Sequence, residues 1–308
     1  MAGGDQCLPH SSDMNTYGEP PTRVGQTTLD DGRVLGWAEW GPRDGVPVVL
    51  CPGAGTSRSL GLACGVPDAV GARLISVDRP GLGVSSPDPG RTLRDFATDL
   101  ENLTSLRDIG HPAVVGNSQG APFALACAAM GTASAVAVVA GADEVAAPEF
   151  AADLPPELHA LVEAIDDDPA GVEADFLTFT ADRIRNMVLS RSPTRDLAVY
   201  KDPGFDAAYR RALAEGFAQG AVGYARDTVL AMDQWDLPLS AITVPVDIWY
   251  GTEDTTHSPD RGRFLATRIA GAERHLVPDA GGSLLWTHGE RVLGTLLART
   301  PTGRGDPR

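Results

Sequence analysis

The stretch Ala113-Val114-Val115-Gly116-Asn117-Ser118-Gln119-Gly120, with the apolar run Ala121 to Ala129 directly behind it, sets a strand, a tight turn and a helix in immediate succession. The turn carries a G-x-S-x-G pattern, in which small residues on both sides leave a serine hydroxyl unobstructed at the tip of a strained backbone. Such a pattern also arises by chance in glycine-rich turns. The flanking strand and helix, more than the five letters, mark Ser118 as a candidate nucleophile.

Working outward, short strand-like runs alternate with helical patterns over residues 25–141 and again over 243–299. That alternation implies an α/β fold: a mostly parallel eight-stranded sheet with helices on both faces. The strands are predicted near 25–30, 34–40, 46–51, 72–77, 112–116, 134–140, 244–250 and 273–277. Thr92 followed by Asp95 gives a capping-box start to a helix whose Leu93, Phe96, Leu100, Leu103 and Leu106 recur at helical spacing. Over 142–242 the β signal vanishes and helices are predicted at 156–166, 173–189, 206–218 and 222–233, an inserted helical cap. Its Phe176, Phe179, Met187, Phe217, Met232 and Trp235 are expected to roof an apolar pocket. Residues 1–24 and 300–308, short of large apolar side chains, are expected to be disordered.

Composition narrows the chemistry. A net charge of -16 spread along 308 residues argues against nucleic acid or an anionic membrane surface as partner. Lys201 is the one lysine and lies in a polar stretch, which disfavours Schiff-base catalysis. Cys7, Cys51, Cys64 and Cys127 show no C-x-x-C spacing, so buried thiols are expected rather than bridges or zinc ligands. The leading segment has no signal-peptide pattern and no apolar run reaches membrane-spanning length, so a cytoplasmic location is expected.

Three further motifs surround the serine in sequence order. Val48-Val49-Leu50-Cys51-Pro52-Gly53-Ala54-Gly55 is a strand ending in a small-residue loop. Asp78-Arg79-Pro80-Gly81-Leu82-Gly83-Val84-Ser85 is a second glycine-rich loop after the next strand. Ile248-Trp249-Tyr250-Gly251-Thr252-Glu253-Asp254 ends a late strand on a carboxylate. The first two also mimic a dinucleotide-binding turn with an acidic residue ending the next strand. Arg58 stands at the third glycine position, however, where its bulk opposes the close helix-to-strand contact such a turn needs.

With the serine turn, these motifs resemble the α/β-hydrolase family from about residue 25 to 299. The resemblance implies Ser118 as nucleophile, Asp254 as the triad acid, and the amides of Ala54 and Gln119 as oxyanion donors, with Pro52 where the family usually has histidine. Asn117 gives the turn a G-N-S-x-G form similar to that of carbon-carbon-bond hydrolases. Asn117, His257 and Trp286 are expected to contact substrate.

After its last strand the family shows glycine followed by histidine, whereas this chain reads Ala280-Gly281-Gly282-Ser283. Gly282 cannot accept a proton, and a serine without an adjacent base is a poor nucleophile. His257, three residues past Asp254, is the best placed substitute. His288 falls about one and a half turns into the final helix, His275 within a strand, His111 at the far end of the sheet, His159 in the cap and His10 in the leading segment.

The resemblance therefore implies hydrolysis of an ester, thioester, lactone or carbon-carbon bond in a small apolar metabolite, impaired or altered at Gly282. Two other readings stay open: a cofactor-free cyclase, lyase or isomerase, and a ligand binder without turnover. No cofactor or metal is expected, and the chain is expected to act on a small molecule as a monomer or homodimer.

Overall fold

A computed structural model of the chain describes residues 17–300. Expectations for residues 1–16 and 301–308 fall outside these. The strands are β1 (Arg23–Thr28), β2 (Val34–Trp40), β3 (Val46–Cys51), β4 (Ala72–Val77), β5 (Ala113–Ser118), β6 (Ala135–Gly141), β7 (Val246–Gly251) and β8 (Glu273–Val277). They form one sheet in the order β1-β2-β4-β3-β5-β6-β7-β8. The β1–β2 and β2–β4 pairs are antiparallel and all others parallel. The central strands β3, β5 and β6 are largely apolar and buried because both their faces are covered.

Helices α1 (Val66–Val70), α2 (Leu93–Leu106) and α3 (Ala121–Ala129) come from the first half. In α2 the Thr92 hydroxyl accepts the Asp95 amide while the Asp95 carboxylate accepts the Thr92 amide, the reciprocal cap read from the sequence. Its Phe96, Leu100 and Leu103 are buried beside Phe123 of α3, whereas Leu106 lies half exposed past the end of the stripe. The opposite face of the sheet is covered by α1, α11 (Leu284–Thr287) and α12 (Gly289–Arg299), with α12 contributing Val292, Leu293 and Leu296. Helix α10 (Arg263–Arg268) joins β7 to β8.

Between β6 and β7 lie six α-helices: α4 (Pro156–Asp167), α5 (Pro169–Phe176), α6 (Ala181–Arg191), α7 (Thr194–Tyr200), α8 (Pro203–Gly216) and α9 (Val222–Met232). The single helix predicted at 173–189 is two, because the Thr180 side chain accepts from the Arg183 amide and starts α6 afresh. Helix α7, seven residues behind Pro193, carries too short a period to be read from sequence. Phe205, Tyr209, Tyr224 and Ile184 form a separate apolar core for this region.

The leading boundary also differs from expectation. Residues 17–24 are ordered by specific contacts: Tyr17 packs edge-on against Phe205, and Arg23 pairs with the buried Glu39 carboxylate at 2.6 Å. Among the described residues no helix is long and apolar enough to cross a membrane.

Candidate active site

The turn at the end of β5 is as strained as its sequence implies. Ser118 has φ 50°, a left-handed conformation that costs a residue with a β-carbon on the order of 1–2 kcal/mol. The flanking glycines make it possible. A β-carbon on Gly120 would lie 2.0 Å from the Cys51 carbonyl oxygen, and one on Gly116 would lie 2.7 Å from the Ala121 backbone. The β5–β6 register shifts between Asn117 and Ser118, which turns the serine away from the ladder.

Ser118 opens onto a cavity of about 250 Å³ between the ends of the central strands and the helices that follow β6. The expected Ala54, Asn117, Gln119, His257, Gly282 and Trp286 line it as well. Of the apolar residues predicted to roof it, Met187 and Met232 do so. Phe176, Phe179 and Phe217 instead pack on Tyr224 in the upper core, and Trp235 belongs to the core beneath the sheet. Tyr200, Phe205 and Tyr209 line the cavity in their place.

The amides of Ala54 and Gln119 have no acceptor among the described residues, and both belong to the loops beside Ser118. The first loop is held from below. Arg79, wholly buried, donates to the carbonyls of Pro52 and Gly53 and pairs with Asp227 of α9 at 2.7 Å. Arg91 reaches the other oxygen of the same carboxylate. This Arg–Asp–Arg triad gave no sequence signal, since its members belong to separate segments. Asp78 is consumed within its own loop by the Arg58 side chain and by the amides of Arg58 and Val84. It is not free to bind a ribose.

Around the other expected side chains, Asn117 Nδ2 donates to the Val139 carbonyl at 3.0 Å, and Gln119 Nε2 to Thr228 Oγ1 at 3.0 Å. Trp286 Nε1 donates to the Gly61 carbonyl, and its ring packs edge-on to Phe205.

Asp254 is 2 % exposed and its two carboxylate oxygens each lie 3.0 Å from Nδ1 of His257. Burial pushes the Asp254 carboxyl up, but the His257 charge, its hydrogen bond and neighbouring amides outweigh this and hold it below its ordinary value. For His257, burial acts downward; the Asp254 charge, that hydrogen bond and the Asp196 charge raise the imidazole above 6.5. Of the described histidines only His257 lines the cavity. His159 pairs with Glu163, and His288, whose proton affinity is lowered by burial and by Arg291, starts α12.

Asp196, from α7, escaped the sequence reading because a first-turn aspartate resembles any solvated helix start. It is buried and accepts the amides of Gly282 and Ser283 at 2.8 and 3.0 Å. Asp143, also lining the cavity, is pushed up to about 6 by burial, although it accepts from Ser258 Oγ.

A cluster with metal-ligand chemistry, Asp247, Glu273 and His275, lies at the start of β7 and β8. Arg299 already pairs with both carboxylates there, and His275 Nε2 meets Asp247 at 2.7 Å. Those contacts tie β7 and β8 to α12.

The model of the alpha/beta hydrolase family matches residues 48–295. A non-heme chloroperoxidase of Streptomyces lividans is 33% identical over 104 residues, a match that spans 32% of this chain and 36% of that protein. Among solved structures, a hydrolase from Pseudomonas aeruginosa PA01 superposes with a TM-score of 0.65 at 19% identity, covering 90% of this chain and 98% of that one. The enol-lactonase from Burkholderia xenovorans LB400 gives 0.61 at 22% identity, covering 89% and 98%. Sheet order, strained serine turn and a family match over most of the chain agree: the chain belongs to the alpha/beta hydrolase family.

Proposed function

We propose that the chain is a serine acyl hydrolase acting on an ester, thioester or lactone of a small, largely apolar acid. One observation carries this reading: Ser118, held at φ 50°, opens onto a largely apolar cavity beside two uncommitted amides, Ala54 and Gln119. In acyl transfer Ser118 Oγ attacks the carbonyl carbon and the carbonyl oxygen becomes negative. Two preorganised amides stabilise that oxygen by several kcal/mol, of order 2.7–4 kcal/mol for one donor in a comparable enzyme. Collapse expels the alcohol or thiol and leaves an acyl-serine, which water then cleaves. Asp254 orients and charges the proton-carrying group, while the lining of Met187, Tyr200 and Phe205 excludes water and favours an apolar acyl chain. The names of the lactonase and hydrolase neighbours are compatible with this chemistry.

The test is a panel of chromogenic short-chain esters and lactones assayed with the whole chain and with Ser118→Ala. Turnover that falls by 10³-fold or more in Ser118→Ala supports the reading. Turnover retained in that variant removes Ser118 as the nucleophile, and a ligand recovered unchanged from a tight complex without turnover replaces the reading with simple binding. Acyl transfer also needs a proton acceptor beside Oγ, and position 282 carries no side chain to supply one.

A further inference from the structure

Position 282 is empty of a side chain, yet the space that side chain would enter is filled. A β-carbon on Gly282 would lie 2.6 Å from Cε1 and 3.1 Å from Nδ1 of His257. The imidazole of His257 therefore stands where any residue at 282 would begin, and the two are mutually exclusive. It arrives from the other side, on the loop that carries Asp254.

The contacts of the ring fix its tautomer. Nδ1 faces both oxygens of the ionised Asp254 carboxylate, with Thr256 Oγ1 at 3.1 Å, so Nδ1 carries the hydrogen. In neutral imidazole the lone pair then sits on Nε2, which has no partner among the described residues. That nitrogen belongs to a residue that lines the cavity into which Ser118 opens. The main chain ties the two together: consecutive amides after β6, Ala142 and Asp143, donate to the carbonyls of Ser118 and His257.

Both glycines of the Ala280-Gly281-Gly282-Ser283 loop then have a reason. A β-carbon on Gly281 would lie 2.4 Å from Asp196 Oδ2. Gly281 admits the cap carboxylate that fastens this loop, and Gly282 admits the imidazole.

We propose that His257 is the general base of this chain, relocated to the acid's own loop, and that Gly282 is the permissive residue that makes room for it. The proposal rests on the acyl-hydrolase reading of Ser118 for its substrate chemistry. His257 Nε2 takes the Ser118 proton as Oγ bonds to the acyl carbon. The resulting imidazolium returns that proton to the departing alcohol oxygen. Nε2 next takes a proton from water as its oxygen attacks the acyl-serine, and gives it back to Ser118 Oγ as the acid leaves.

The experiment measures two quantities on the whole chain, His257→Ala, His257→Gln and the double variant His257→Ala/Gly282→His. The first is ester turnover; the second is the rate at which a fluorophosphonate labels Ser118, in which Oγ displaces fluoride from phosphorus. Both are expected to fall on the order of 10³-fold in His257→Ala and His257→Gln with circular dichroism unchanged. Added imidazole is expected to restore part of the His257→Ala rate, and histidine supplied from 282 to restore part of it in the double variant. His257→Ala turnover within threefold of the unaltered chain, with Ser118→Ala inactive, would overturn the base assignment and leave the hydrolase reading intact. Ser118 labelling that depends on His257 without turnover of any ester would uphold the base and remove the hydrolase reading. Ser118 that resists labelling in the unaltered chain would overturn the proposal.

Discussion

The main-chain carbonyls of Ser118 and His257 accept hydrogen bonds from neighbouring amides, Ala142 at 2.8 Å and Asp143 at 3.2 Å. The loop leaving β6 thus acts as a two-pronged clip between the strained turn and the acid loop. Two consecutive residues of one segment thereby hold both loops.

Gly282→Ala tests the steric half of the proposal. Its β-carbon meets the far edge of a partly exposed imidazole rather than backbone, so the ring is expected to swing aside and the fold to persist. Turnover is expected to fall about 10²-fold with stability changed by under about 1 kcal/mol, read by ester kinetics and urea melts on the same preparation.

The pH profile should carry the mark of two acids. The imidazole of His257 feels Asp254 on its own loop and Asp196 from α7. The Asp254 and Asp196 charges raise its proton affinity, so the reactive neutral form appears only as pH rises past a midpoint above 6.5. The kcat/KM of the unaltered chain is expected to climb through that midpoint. Asp196→Asn is expected to move it downward, a shift that loss of a purely structural clamp would not produce.

Asp143 predicts a different pH effect, on stability. Its carboxyl is raised from 3.8 to about 6, so the folded state holds that proton more tightly than the unfolded chain. The associated stabilisation is complete below about pH 4 and is lost as pH rises through about 6. Asp143→Asn, without this loss, is expected to gain on the order of 2–3 kcal/mol relative to the unaltered chain between pH 4 and 7. Urea midpoints across that range measure it.

Asp227→Ala should cost more than any surface change, because it strands two guanidinium groups, Arg79 and Arg91, almost wholly buried. Breaking such a network is expected to destabilise by about 3–5 kcal/mol, seen as a fall in the urea midpoint. The Pro52–Gly53 loop loses its anchor in the same step, so acylation of Ser118 should slow in whatever fraction remains folded.

The sheet, its eight strands and the serine turn were legible because they depend on local pattern: apolar runs of strand length, a reciprocal cap at Thr92 and Asp95, and small residues around Ser118. The helices after β6 were legible in kind but not in number, since a side-chain cap at Thr180 and a seven-residue helix leave little periodic trace. Asp196, Arg79, Arg91 and Asp227 were invisible because their partners are remote in the chain and each reads singly as a surface charge. Gly282 was read as a subtraction. That the space it leaves is taken by His257 depends on where two loops meet, and this is a property of the packed molecule alone.

Asp254 and His257 are only three residues apart, so their pairing is set by a single short segment instead of by the docking of two loops on different strands. A shift of β8 against β7 would pull apart a dyad split between them; here it would leave acid and imidazole travelling together. Under the proposed base assignment, acid and base form one segment that asks of the 280–283 loop only a residue small enough to leave the ring its place.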